Sequence, residues 1–66
     1  MARYFINNKA QANGDHEVHK QGCTFMPADK TELGEHSNCY SAIIIAKDSY
    51  SRVNGCYFCS KECHSS

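Results

Sequence analysis

The sequence predicts a small α+β domain: an N-terminal β-hairpin, one central α-helix and a C-terminal cysteine-rich knuckle, with room for a third short strand. Three observations carry that prediction. Two runs with strand character flank an Asn-Gly turn near the start, an apolar stripe at helical spacing follows Ser37, and Cys56-x-x-Cys59-x-x-x-Cys63 closes the chain. At 66 residues, positions 1–66 form a single domain. A chain this short buries only about 60% of its unfolded surface and is marginal without a staple. Its large apolar residues are one Leu, four Ile, two Val and three Phe besides Met26. The five Cys and four His are therefore the candidates for the staple.

Each element has its own signal. Arg3-Tyr4-Phe5-Ile6-Asn7 is aromatic and β-branched at its centre and reads as a short strand. Asn13-Gly14 is the strongest turn signal in the chain, and His16-Glu17-Val18-His19-Lys20 returns as the second strand. Gln21 to Glu35, punctuated by Gly22, Pro27 and Gly34, reads as a polar loop. Ser37 is the expected N-cap of a helix running to about Tyr50. Cys39, Ile43, Ala46 and Tyr50 fall within about 40° of one another on that helix and form its core stripe, with Ala42 beside it. Ile44 and Ile45 fall off the stripe. Three consecutive Ile make a strand the competing assignment there. Asn54-Gly55 makes a second sharp turn before the knuckle.

Composition excludes several classes of function. No run approaches the roughly 20 apolar residues needed to span a bilayer. The opening residues show no apolar h-region, so the expected location is cytoplasmic. Seven basic residues balance seven acidic ones, and neither sign forms a block. That argues against nucleic acid as a partner, because phosphate neutralisation supplies much of such affinity. In a reducing compartment a cysteine cluster reads as metal-binding before it reads as disulfides.

Cys56-x-x-Cys59 directly after Asn54-Gly55 has the form of a zinc knuckle, in which a tight turn lets two thiolates grip one ion. Were Ser60 to His64 one helical turn, Cys63 would share a face with Cys59, about 6 Å away at Cβ. The expected ligand set for one zinc ion is thus Cys56, Cys59 and Cys63, with His64 as the nearest nitrogen. Adjacent residues point about 100° apart on a helix, so a distant fourth ligand competes with His64. His16, His19, Cys23 and Cys39 are the distant options, and any of them would close a long loop. Cys39 sits on the helix stripe, where packing or a bond to Cys23 weighs as much as ligation. His16-Glu17-Val18-His19 falls short of HExxH: its spacing is i+3, and a strand sends the two His to opposite faces. Tyr57 and Phe58 read as a hydrophobic cover over the site rather than a base-stacking platform, with only Arg52 and Lys61 nearby.

Taken together, Asn13-Gly14-Asp15-His16-Glu17-Val18-His19, Cys23, Leu33-Gly34, Cys39 with Ala42 and Ala46, and Asn54-Gly55-Cys56-Tyr57-Phe58-Cys59-Ser60-Lys61-Glu62-Cys63-His64 resemble the pattern of a group of small bacterial proteins of unknown function. The resemblance covers nearly the whole length and implies a stand-alone cytosolic protein, but brings no activity with it. Ile43-Ile44-Ile45 and Ala28-Asp29-Lys30 depart from that pattern without touching a Cys or His.

The function these residues predict is non-catalytic: a zinc-stabilised module that presents a surface to a protein partner. A thiol-disulfide redox protein using Cys56 and Cys59 is the alternative, opposed by the lack of the larger βαβ sheet such motifs open. A disulfide-stapled structural domain is the third. Ile44 and Ile45, uncovered by so short a chain, predict weak self-association or partner docking.

Overall fold

The computed structural model describes residues 1–65, and the α+β class is as the sequence predicts. The chain runs through strands β1 (Ala2–Asn7), β2 (His16–Lys20) and β3 (Lys30–His36), helix α1 (Cys39–Ala46), strand β4 (Val53–Gly55), and a 3-10 turn at Lys61–Cys63. The strands form one sheet in the order β3-β1-β2-β4, with β1 antiparallel to both β2 and β3 and β4 parallel to β2.

Strand alternation divides the sheet into two working faces. On one face Tyr4, Ile6 and Val18 are buried against Cys39, Ala42 and Ala46 of α1. The helix presents two alanines to the sheet, so it packs close with little side-chain volume between. On the other face His19 lies opposite Phe5 across the β1–β2 pair. That face carries the candidate site.

The hairpin is present, but its connection is longer than the Asn13-Gly14 pair alone. Asn13 Oδ1 accepts the Asp15 N–H at 2.9 Å, while Gly14, at φ +93°, turns the chain. The segment from Gln21 to Glu35, expected as loop, contains most of β3. β3 is an edge strand whose sequence, Lys-Thr-Glu-Leu-Gly-Glu-His, lacks an apolar alternation; pairing with β1 organises it instead. Its register slips at Tyr4/Phe5, where Leu33 has no opposite residue and Gly34 takes φ +90°.

Helix α1 begins one residue later than Ser37 predicts. Asn38 is the N-cap, its extended backbone at φ −156° placing Oδ1 3.0 Å from the Tyr40 N–H. The helix ends at Ala46 rather than near Tyr50, since Asp48 and Ser49 donate to the carbonyls three residues back. Cys39, Ala42 and Ala46 are buried, and Ile43 and Tyr50 pack half-buried against the same cluster. Tyr50 leaves the helix to stack on His16, with ring centroids 3.7 Å apart. Ile44 and Ile45 are 67% and 45% exposed. No helix of the described residues is long and apolar enough to cross a membrane.

Candidate metal centre

Four side chains converge on the sheet face opposite α1. His19, Cys23, Cys56 and Cys59 each offer one ligand atom, and these atoms all lie within 4.8 Å of one another. Local structure places each of them. His19, the neighbour of core Val18 near the end of β2, points to the face opposite α1 and is itself buried. Cys23 follows in the turn closed by its own N–H on the Lys20 carbonyl at 3.0 Å. Cys56 comes directly after β4, its N–H donating to the Val18 carbonyl at 2.9 Å, which sets it beside His19. The next turn, with the Ser60 N–H donating to the Cys56 carbonyl at 2.8 Å, brings Cys59 back over the site.

The spacing suits a tetrahedral ion. Metal–sulfur bonds of about 2.3 Å at tetrahedral angles separate two sulfurs by about 3.8 Å. Cys23 Sγ and Cys56 Sγ are 3.8 Å apart, and Cys59 Sγ is 3.9 Å from His19 Nδ1. The surroundings complete the fit. On the far side of the His19 ring, Nε2 is 3.3 Å from Glu17 Oε1. With its proton on Nε2 beside that carboxylate, the ring would offer the Nδ1 lone pair to a metal. The Lys20 N–H donates to Cys59 Sγ at 3.2 Å, and Ser60 Oγ lies 3.8 Å from the same sulfur. Both contacts stabilise a thiolate. Burial lowers the pKa of His19, with Glu17 acting in the opposite direction. Burial likewise pushes the Cys59 thiol up to about 12, against the Lys20 N–H. A cation held by these four side chains would supply the charge that such a buried thiolate needs.

Cys63 and His64 lie elsewhere. Cys63 forms a disulfide with Cys39 of α1, with Cα atoms 6.3 Å apart. His64 is extended and its Nδ1 donates to the Gly55 carbonyl at 3.0 Å. Cys63 could join Cys59 only across a continuous helical turn. Ser60, at φ −136° and ψ 48°, breaks it, and only a short 3-10 turn follows. Of the distant donors, the fold brings in His19 and Cys23, sends Cys39 to the disulfide, and keeps His16 on the opposite face, its Nδ1 donating to the Asn7 carbonyl at 3.0 Å. The Cys39–Cys63 pairing has no local sequence signal, since 24 positions separate the two residues. Gly55 is what lets the knuckle lie so close. A Cβ there would sit 2.7 Å from both Cys63 Cβ and the Ser60 carbonyl oxygen.

Tyr57 does not line the approach to the site, and Phe58 walls it without sealing it. They are 50% and 69% exposed, and Phe58 packs on Phe25 with centroids 4.6 Å apart. Beside the site lies an open depression of about 290 Å³ lined by Gly22, Cys23, Thr24, Phe25, Phe58 and Cys59. Compared with known proteins, the chain matches no family model, no curated protein and no solved structure.

Proposed function

We propose that this protein is a small, non-catalytic, zinc-stabilised domain that serves as a protein-interaction module. The observation that supports zinc is the set of four ligand atoms, three sulfurs and one imidazole nitrogen, within 4.8 Å of one another. Soft thiolates with imidazole at tetrahedral spacing favour Zn²⁺ among divalent ions, and four protein ligands leave no open position for catalysis. The metal joins the end of the hairpin to the C-terminal knuckle and so supplies the staple that the small apolar complement lacks. The thiol-disulfide alternative through Cys56 and Cys59 is disfavoured. A redox nucleophile needs a lowered thiol pKa, whereas burial pushes Cys59 up to about 12 and leaves Cys56 only 2% exposed.

The same reading places the protein in the cytoplasm, where thiolates stay reduced for a metal. Cys39 is buried there, which shelters its bond to Cys63 from exchange. The interaction surface we assign to the outer side of α1, where Tyr40, Ile44 and Ile45 are all exposed. It serves either a protein partner or weak pairing of two copies. Intact mass under native and denaturing conditions, before and after chelation, tests the metal reading. One zinc per chain, lost on chelation together with much of the domain's thermal stability, is the expected result. A native mass without metal, or a thermal stability indifferent to the chelator, contradicts it.

A further inference from the structure

We infer that Cys23 and Cys56 form an oxidation site for a peroxide, and that closing the Cys23–Cys56 bond expels the metal; this rests on the zinc reading above. The two sulfurs are 3.8 Å apart while 33 positions separate them in the chain, so the fold alone has made the pair. They differ in access. Cys23 is half-buried and lines the open depression, whereas Cys56 is 2% exposed. Cys59 also lines the depression, but its sulfur receives the Lys20 N–H at 3.2 Å and lies 3.8 Å from Ser60 Oγ. Hydrogen bonds of that kind withdraw charge from a thiolate and blunt its attack. Cys23 is therefore the sulfur that meets the oxidant.

The chemistry balances with hydrogen peroxide as the two-electron oxidant. The Cys23 thiolate attacks one peroxide oxygen, the O–O bond breaks, and the departing hydroxide takes a proton to become water. Cys56 then attacks the resulting sulfenic sulfur, the S–S bond forms, and the second hydroxide leaves and is protonated to water. Two thiolates have lost two electrons and the peroxide has gained them. The zinc, left with Cys59 and His19, has lost half of its ligands and dissociates. The Cys39–Cys63 bond, on the other side of the sheet, keeps the knuckle attached throughout, so a thiol reductant returns the site to its metal-binding form.

The test treats the zinc-loaded protein with an equimolar amount of hydrogen peroxide beside a chromophoric zinc indicator. Native mass recorded beforehand establishes the load. The expected result is release of one zinc with a loss of about two mass units, reversed by reductant and added zinc. Cleavage after Tyr57 and Phe58 separates Cys56 from Cys59, so non-reducing peptide mapping identifies the bond. The fragment containing Cys23 should be joined to the one containing Cys56. Phe58→Ala, which widens the approach to Cys23 without removing a ligand, should release zinc several-fold faster. Zinc retained after peroxide overturns the inference, as does a Cys56–Cys59 or Cys23–Cys59 bond in the mapped product. A protein without zinc in the first spectrum fails the metal reading itself, an outcome distinct from both.

Discussion

Glu17 never touches the proposed ion, yet it decides which nitrogen of His19 faces it. Its carboxylate lies 3.3 Å from Nε2, which favours the tautomer whose unprotonated Nδ1 faces the sulfurs. Loss of an outer partner of this kind typically costs about 10–100-fold in metal affinity. Glu17→Ala should weaken zinc by that order in a chelator competition while the zinc-saturated spectrum stays native. Unchanged affinity would mean the ring is oriented by packing alone. The two perturbed groups of the site also set a pH window for the metal-free protein. Burial lowers His19 from 6.5, so the stability it carries is present above pH 6.5 and lost as pH falls below it. Burial raises Cys59 from 9.0 to about 12, so its contribution is present below pH 9.0 and lost as pH rises beyond. Thermal scans of the chelated protein should thus show a plateau from 6.5 to 9.0 with a fall on either side. A melting temperature still rising above pH 9.0 would contradict the assignment of Cys59.

Among the elements, the knuckle depends most sharply on one position. Gly55→Ala drives a Cβ to 2.7 Å from Cys63 Cβ and the Ser60 carbonyl, and backbone cannot yield as a flexible side chain would. The cost should be about 1–3 kcal/mol, read from thermal or urea unfolding of the zinc-loaded protein. A neutral result would show that the 3-10 turn slides freely on β4. On α1 the graded burial makes a second expectation. Ile44→Ala and Ile45→Ala should each change stability by no more than about 0.5 kcal/mol, and half-buried Ile43→Ala by clearly more. Equal losses at the three positions would place all of them in the core. These elements were unequally legible. β1, β2 and α1 carry their own period and caps, and Cys56-x-x-Cys59 its own turn chemistry. β3 does not, because an edge strand held by backbone pairing needs no apolar alternation. Cys23 and His19 were legible only as options, since what selects them is the adjacency of β2 and β4, a parallel pairing that no local pattern encodes.

For the whole molecule, two staples act on opposite faces of one thin sheet. The disulfide ties α1 to the 3-10 turn behind the sheet, and the proposed metal ties β2, its following turn and the knuckle in front. Closing a loop of 24 positions removes chain entropy worth about 3.5 kcal/mol from the unfolded state. The double variant Cys39→Ser, Cys63→Ser should lose about that much and still bind one zinc, measured by denaturant titration and native mass. Zinc lost along with the disulfide would make the two staples one cooperative unit. Whether His19, Cys23, Cys56 and Cys59 hold a single ion is decided by replacing zinc with an NMR-active cadmium isotope and recording metal–proton correlations. Couplings are expected to the β-protons of Cys23, Cys56 and Cys59 and to the ring of His19, and none to Cys39, Cys63 or His64. A coupling from Cys63 or His64, or the absence of one from Cys23 or His19, would contradict that ligand set.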